Sequence, residues 1–211
     1  MIDDLAVCLF VKAPVRGTVK TRLAEAMGDE LALNAYVQLV EHGLTAIADT
    51  RFGFRLWVDG DVDDPAVGRW AVRLDAPVRA QVEGDLGAKM GAALADALAD
   101  HNAAVVIGSD LPEVNAEYLC AARDLLASND VVFGPTEDGG YALVGANVAV
   151  PALFDGIAWS TDRVFDQSLT CARALGLSVG ILPLTWDVDE LHDWHRFQRF
   201  MRDGKSSRSI E

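Results

Sequence analysis

The chain has 211 residues, 51% of them hydrophobic, and its 32 Asp plus Glu outweigh 18 Lys plus Arg to give a formal charge of −14. This length and composition predict a single domain over residues 1–203 and a polar tail at 204–211. The acidic balance argues against general nucleic-acid binding and against docking on anionic lipid. Three scattered cysteines, an acidic N-terminus and no run near the ~20 apolar residues of a membrane span predict a cytoplasmic protein.

Strand and helix patterns alternate along the chain. Short apolar runs predict strands over residues 5–11, 54–58, 78–82, 103–108, 130–133, 141–145 and 179–184. Helical spacing of apolar residues predicts helices over 30–48, 65–72, 86–99, 115–127, 161–175 and 190–201. Asn115 is the expected N-cap of its helix, and Ser160 or Thr161 that of the helix over 161–175. The alternation predicts an α/β domain in which helices cover both faces of a sheet.

The first predicted strand runs directly into a basic segment, Lys12-Ala-Pro-Val-Arg-Gly-Thr-Val-Lys-Thr-Arg22. Lys12, Arg16, Lys20 and Arg22 lie within eleven residues of a chain that has only four lysines. A strand followed by a loop with Gly17 offers backbone N–H groups and positive charge to an anion at the ligand-binding end of an α/β sheet. The segment therefore predicts a nucleotide-phosphate site, and its alternative is a solvated turn.

A carboxylate site is predicted after the strand over 103–108, where Ser109 and Asp110 reach the edge of the sheet. An Asp at this place can hold Mg²⁺ or Mn²⁺ between two phosphates, or it can cap the turn before Pro112. Asp187 and Asp189 follow the last predicted strand. They could meet Asp110 across the site, or they could be N-caps of the last helix.

Two further motifs could contact a substrate. In the turn Glu137-Asp-Gly-Gly140 the glycines let the backbone approach a ligand, and the carboxylates could supply a base, a hydroxyl contact or a metal contact. A β-hairpin would use the same turn. The segment Trp159-Ser-Thr-Asp162 is an ordinary helix cap or a contact to a phosphate or hydroxyl. The candidate substrate contacts are Glu137, Gly139, Gly140, Trp159, Ser160 and Thr161, beside Asp138.

Together these motifs resemble a known family. The order F-x-K-x-P-x-x-G-x-V-K-T-R-L, G-x-D-L-P, D-G-G-Y-x-L-x-G, W-S-T and D-x-D is similar to that of the bacterial GT-A-like glycosyltransferases of unassigned substrate, from Val7 to about Trp194. These belong with the nucleotide-diphospho-sugar transferases. The chain is more remotely similar to the molybdenum-cofactor guanylyltransferases and to the phospholactate or phosphoenolpyruvate guanylyltransferases.

The resemblance implies a three-layer α/β/α sandwich of the GT-A type with a mixed, mainly parallel sheet. It implies Mg- or Mn-dependent transfer of a glycosyl group from a nucleotide-diphospho-sugar to a small-molecule acceptor. Nucleotidyl transfer from an NTP to a phosphorylated small molecule is an alternative, as is a nucleotide-binding protein without catalysis.

The resemblance also assigns roles to residues. It puts Lys12, Gly17, Lys20 and Arg22 at the nucleotide phosphates, and it puts Gln81, Asp85 and Gly87 near the base or ribose. Asp110 takes the metal position, and Asp189 or Asp187 is the second ligand in the nucleotidyltransferase pattern. Glycosyltransferases of this fold carry Asp-x-Asp where this chain has Ser109-Asp-Leu-Pro, so the single carboxylate is a departure. Asp138 is the candidate contact to a sugar or acceptor hydroxyl, and a candidate general base.

Overall fold

The computed structural model of the chain describes residues 4–48 and 50–208, with side chains up to residue 203. Of the predicted tail, residues 209–211 lie outside the described residues, whereas 204–208 continue the last helix. No described helix is both long enough and apolar enough to span a bilayer.

The described strands form one sheet, in the order β3-β2-β1-β4-β6-β5-β7. They are β1 (Leu5–Lys12), β2 (Gly53–Asp59), β3 (Val78–Ala80), β4 (Ala103–Ile107), β5 (Val131–Pro135), β6 (Tyr141–Ala146) and β7 (Val179–Ile181). Strand β6 runs antiparallel to β4 and β5, and the other four pairings are parallel. The prediction of a mixed, mainly parallel sheet is confirmed.

Helices cover both faces of the sheet. They are α1 (Thr21–Met27), α2 (Asp29–Ile47), α3 (Pro65–Leu74), α4 (Leu86–Leu98), α5 (Ala116–Leu126), α6 (Val164–Ala174) and α7 (Leu191–Arg208), with a 3₁₀ turn at Pro151–Phe154. Apolar residues of α2, α3 and α5 form the core on one face, and those of α4 and α6 form the core on the other. The predicted three-layer α/β/α sandwich is therefore confirmed.

Burial on both faces explains the continuous apolar runs of the central strands. In β1, Leu5, Val7 and Leu9 enter the core beneath α2, whereas Ala6 and Cys8 enter the core beneath α4. A parallel strand covered on both sides has no solvent face and needs no polar alternation. The same helices leave the carboxyl ends of the strands open, and polar segments gather there.

Some predicted boundaries are wrong, and local backbone chemistry explains why. Helix α6 starts at Val164 with Arg163 as its N-cap, because Ser160 has a positive φ of 62° and Thr161 forms a turn that receives the N–H of Val164. Strand β7 stops at Ile181, just before Pro183, which lacks the N–H that pairing needs. The short helix α1 was not predicted. The Asn115 cap is confirmed, since its side chain accepts from the N–H of Tyr118 at 3.0 Å.

Candidate active site

A cleft of about 940 Å³ opens at the carboxyl ends of β1, β2 and β4. One wall comes from the segment after β1, the ends of β2 and β3, and the start of α4. The opposite wall comes from β6, the β5–β6 turn and the segment 159–164. The end of β4 and the segment 187–189 after β7 lie between the two walls. This is the position where open α/β sheets bind ligands.

The core holds the basic segment at the cleft. Val19 and Leu23 are buried on either side of Lys20, whose backbone has a positive φ of 46°. A residue with a Cβ pays for this left-handed conformation, so surrounding contacts must impose it, as they do at many functional sites. Tyr36 of α2 fixes the start of the segment, because its hydroxyl accepts from the Lys12 N–H at 2.7 Å and donates to the Lys12 carbonyl at 3.0 Å.

The Lys20 ammonium joins two carboxylates that are far apart in sequence. Its Nζ lies 2.6 Å from Oδ2 of Asp110 and 3.5 Å from Oδ1 of Asp189, and the side chain is only 6% exposed. Arg22 donates to the other oxygen of Asp189 at 2.7 Å. The segment 187–189 reaches this place because the Val188 N–H donates to the Asp110 carbonyl at 3.1 Å. The predicted meeting of Asp110 and Asp189 is therefore present.

Asp189 does not act as a side-chain cap of α7. The carboxylate of Asp193 accepts from the backbone N–H groups of Asp189 and Glu190, at 3.2 and 2.9 Å. The carboxylate of Asp189 is instead bound by Lys20 and Arg22. The N-cap interpretation of Asp189 was wrong because α7 begins at Leu191, so that Glu190 is the residue before the helix, and because the Asp189 carboxylate is bound by Lys20 and Arg22.

The carboxylates of the cleft perturb one another and Lys20. Burial alone would lower the pKa of Lys20, but Asp110, Asp189 and Asp187 outweigh it, and the pKa lies above its ordinary value. Burial, reinforced by the nearby charges of Asp110 and Asp138, raises the pKa of Asp187 to about 7. Six Asp and four Lys or Arg are found among the described lining residues of the cleft, a balance that favours an added cation.

Asp110 and Asp189 suit a hard divalent cation. Both are carboxylates, the donors that Mg²⁺ and Mn²⁺ prefer, and they already share one cation, the ammonium of Lys20. Among the described residues, no three His, Cys, Asp or Glu form a ready-made metal cluster. Mg²⁺ commonly needs only one or two protein carboxylates and takes its other ligands from phosphates and water.

Most of the predicted site residues line the cleft. The structure brings together Lys12, Lys20, Arg22, Gln81, Asp110, Asp138, Gly140, Trp159, Ser160, Thr161, Asp187 and Asp189. Oδ1 of Asp138 accepts from the Thr136 hydroxyl at 2.5 Å and from the Gly140 N–H at 3.0 Å. Gln81 donates to the Trp57 carbonyl at 3.2 Å. These contacts fix both side chains at the cleft.

Other predicted residues do not line the cleft. Arg16 and Gly17 lie outside its lining, and the Arg16 guanidinium approaches Asp29 at 4.0 Å on the exposed surface. Glu137 accepts from both guanidinium nitrogens of Arg196 at 2.7 and 3.0 Å, and so it is committed to α7. The structure leaves these three residues without a contact to the cleft.

Asp85, Gly87 and Gly139 shape the cleft from behind its surface. Asp85 caps α4 by accepting from the Ala88 N–H at 2.9 Å. A Cβ on Gly87 would lie 2.8 Å from Trp159, and one on Gly139 would lie 2.2 Å from the Asp162 carbonyl oxygen. The two glycines therefore allow α4 and the β5–β6 turn to pack closely against the segment 159–162.

Sequence reasoning missed Lys89, Tyr36 and Tyr141, which also line the cleft. Lys89 lies in the first turn of α4, 3.7 Å from Asp59. Two signals could have revealed it. Three of the chain's four lysines line the cleft, and a cation in the first turn of a helix opposes the helix dipole. The sequence gives no such signal for Tyr36 and Tyr141, because each lies within an apolar pattern that predicts a core aromatic residue.

The chain is similar to several solved structures. A proposed nucleotide-diphospho-sugar transferase from Desulfovibrio desulfuricans G20 is 33% identical, with a TM-score of 0.80 over 88% of this chain and 82% of that one. A nucleotidyl transferase from Methanothermobacter is 14% identical, with a TM-score of 0.61 over 95% and 99% of the two chains. Glucosyl-3-phosphoglycerate synthase from Mycobacterium tuberculosis, crystallised with Mn²⁺, UDP and glucosyl-3-phosphoglycerate, is 13% identical, with a TM-score of 0.56 over 93% and 76%.

The two more distant structures establish a shared fold and leave the reaction open. Residues 44–161 match the family described as "Uncharacterized protein conserved in bacteria (DUF2064)". No curated protein matches the chain. Since the family match spans more than half of the chain, and the Desulfovibrio structure is similar over most of it, this protein has the GT-A nucleotide-diphospho-sugar transferase fold and belongs to the DUF2064 family.

Proposed function

We propose that this protein transfers a glycosyl group from a nucleotide-diphospho-sugar to a small-molecule acceptor, with the help of Mg²⁺ or Mn²⁺. The observation that carries metal-assisted transfer from a nucleotide-activated donor is the convergence of Lys20, Asp110 and Asp189 at the end of β4. A diphosphate bound with a divalent cation needs both kinds of charge at one place. The 33% identity to a proposed nucleotide-diphospho-sugar transferase supports the same donor.

The donor would lie along the wall formed by the segment after β1 and the start of α4. Lys12, Arg22 and Lys89 line this wall and offer charge-assisted hydrogen bonds to phosphate oxygens. Gln81, at the end of β3, is a candidate contact to the base or ribose. Asp85 and Gly87 act indirectly in this proposal, by capping α4 and by allowing it to pack. A divalent cation held by Asp110 and Asp189 would neutralise charge on the leaving diphosphate.

The acceptor would lie along the opposite wall, next to Asp138. Thr136 and Gly140 occupy Oδ1 of Asp138, and its other oxygen is the proposed proton acceptor. The acceptor hydroxyl oxygen forms a bond to the anomeric carbon, while the bond from that carbon to the diphosphate oxygen breaks. The hydroxyl proton passes to Asp138, and the nucleoside diphosphate leaves with the bonding electron pair. Lys20, Lys12 and Arg22 stabilise the charge that develops on it.

Nucleotidyl transfer is a second candidate, which one observation specifically favours. Asp110 and Asp189 come from distant parts of the chain and meet on one cation, Lys20, as the two carboxylates of the nucleotidyltransferase pattern would. In that reaction an acceptor phosphate oxygen would attack the α-phosphorus of an NTP, and pyrophosphate would leave.

The decisive experiment is a donor screen followed by product analysis. Thermal shifts with nucleoside diphosphates, nucleotide-sugars and NTPs, each with Mn²⁺ or with EDTA, identify the bound donor. Slow release of a nucleoside diphosphate from a nucleotide-sugar, by transfer to water, supports glycosyl transfer. Pyrophosphate release from an NTP supports nucleotidyl transfer, and metal-dependent binding without either product indicates a nucleotide-binding protein. Asp110→Asn, which keeps the shape of the side chain, is the control for metal dependence.

A further inference from the structure

The charged residues of the cleft are distributed unequally between its two walls. The basic residues among its described lining are Lys12, Lys20, Arg22 and Lys89. Lys12 ends β1, Lys20 and Arg22 lie at the start of α1, and Lys89 is held towards Asp59 at the end of β2, at 3.7 Å. All four therefore belong to the wall on the β1 and β2 side of β4.

The opposite wall, on the β6 side of β4, is acidic. Its described lining includes Asp138 and Asp162 together with the hydroxyls of Thr136, Ser160 and Thr161, and it includes no Lys or Arg. Two arginines lie near this wall in sequence or space. Arg163 is exposed and is not part of the lining. Arg196 is engaged by Glu137 and lies 4.0 Å above the ring of Trp186.

The start of α6 offers no substitute for the missing cation. A helix N-terminus binds anions through N–H groups that have no acceptor of their own. In α6, the Val164 N–H donates to the Thr161 carbonyl at 3.4 Å, and the Phe165 N–H donates to the Gly139 carbonyl at 2.9 Å. The first N–H groups next to the cleft are therefore already paired.

Aromatic side chains supply the apolar part of the same wall. Tyr141 and Trp159 line the cleft with ring centroids 6.5 Å apart and planes at 80°. The ring of Trp159 also packs against that of Phe154, with centroids 6.3 Å apart, and Gly87 lets α4 approach both side chains. The result is a fixed aromatic corner beside Asp138 and several hydroxyls. Such a surface suits the C–H face of a polyhydroxylated compound, whose hydroxyls the polar groups can bind.

We propose that the acceptor is an uncharged polyhydroxy compound, such as a sugar or polyol, and that the acceptor wall excludes compounds bearing a phosphate. This inference rests on the proposed glycosyl transfer and names its acceptor class. A phosphate at this wall would face Asp138 and Asp162 with no basic side chain in the lining to pair with it. At the effective dielectric of a protein surface, one such repulsion at ~6 Å disfavours binding by about ten-fold or more.

The test compares acceptors in pairs that differ by one phosphate: glycerol with glycerol 3-phosphate, and glucose with glucose 6-phosphate. Each is added with Mn²⁺ and the nucleotide-sugar identified by the donor screen, and nucleoside diphosphate release is measured above the rate without acceptor. We expect kcat/KM for each neutral compound to exceed that of its phosphorylated partner at least ten-fold. Equal rates, or faster release with the phosphorylated member, would overturn the inference.

Binding provides a second measurement that does not require turnover. Saturation-transfer NMR is recorded on the complex of the protein with Mn²⁺ and nucleoside diphosphate. The neutral compound of each pair should give a clear signal, and its phosphorylated counterpart should give a much weaker one. The reverse order would contradict the inference. A different result would contradict the proposed function. In that case no nucleotide-sugar is bound or hydrolysed, whereas an NTP releases pyrophosphate.

A charge-neutralising variant tests the cause. Asp162→Asn removes one negative charge from the acceptor wall. It should raise kcat/KM for the phosphorylated member of each pair, so that the ratio of neutral to phosphorylated kcat/KM falls several-fold. Asp155→Asn is the matched control, because Asp155 is exposed and lies outside the described lining of the cleft. It should leave the ratio unchanged. An unchanged ratio in Asp162→Asn would show that this carboxylate does not set the preference.

Discussion

Asp187 and Asp189 lie two residues apart on one segment, and we predict that replacing each with asparagine changes stability in opposite directions. Burial raises the pKa of Asp187 to about 7 from an ordinary value of 3.8, and Asp110 and Asp138 add to this effect. Asp189 instead pairs with Lys20 and Arg22. Asp187 is therefore destabilising when ionised, whereas Asp189 contributes favourable ion pairs.

The sign of the Asp187 effect follows from proton linkage. Its folded pKa lies above its unfolded pKa, so between about pH 4 and pH 7 the folded state binds more protons, and stability falls as the pH rises. At ~1.4 kcal/mol per pKa unit, the shift amounts to at most about 4 kcal/mol at pH 8. Asp187 keeps some contact with solvent, so the full shift is not realised. We expect Asp187→Asn to raise the free energy of unfolding by about 2 kcal/mol at pH 8 and by less than about 1 kcal/mol at pH 5.

The Asp189 effect is smaller and has the opposite sign. The side chain of Asp189 is 41% exposed and that of Arg22 is 65% exposed, so water screens their pair. Lys20 also keeps its closer contact with Asp110. We expect Asp189→Asn to lose about 1 kcal/mol at pH 8.

Urea unfolding followed by tryptophan fluorescence, at pH 8 and pH 5 with EDTA present, measures both variants. We expect Asp187→Asn to be more stable than the wild type at pH 8 and its advantage to shrink at pH 5. An Asp187→Asn protein that is equal to or less stable than the wild type at pH 8 would refute the destabilising role of the ionised Asp187. A stabilised Asp189→Asn protein would likewise contradict the assigned ion pairs.

Three further changes test the site. Lys20→Met should weaken nucleoside diphosphate binding by ten-fold or more in calorimetric titration, because a charge-assisted contact is worth roughly 1.5–3 kcal/mol; unchanged affinity would remove Lys20 from the phosphate site. Asp110→Asn should abolish the Mn²⁺-dependent part of the thermal shift with nucleotide, and it should also lower the melting temperature of the free protein, because the buried ammonium of Lys20 loses its closest carboxylate; a full Mn²⁺ response would reduce Asp110 to a turn residue. Gly139→Ala should cost roughly 2 kcal/mol in urea unfolding, since its Cβ would lie 2.2 Å from the Asp162 carbonyl at a φ of +86°; wild-type stability would show that the turn relaxes freely.

The local pattern of residues was enough to predict an α/β domain with helices on both faces of the sheet, whereas the GT-A type and the mixed sheet were expected from the family resemblance. Apolar runs such as Ala103–Ile107 can be satisfied only where both faces of a strand are covered, and helical spacing marked the elements that cover them. The Asn115 cap depends on groups three residues apart. Local signals of this kind also placed Lys20 and Asp110 after strands, and the carboxyl ends of parallel strands share one edge.

Long-range pairing decided which of these side chains meet. The parallel pairing of β1 with β4 brings Lys20 and Asp110 together, and the hydrogen bond from Val188 to the Asp110 carbonyl returns Asp189 to the same cation. A long-range ion pair also keeps Glu137 out of the cleft, because Arg196 of α7 binds its carboxylate. Propensity and periodicity act over a few residues, whereas an ion pair depends on the final positions of two whole elements. For that reason several charges of the cleft, although not Lys89, could be predicted one by one, but their partners and their division between two walls arise only in the folded chain.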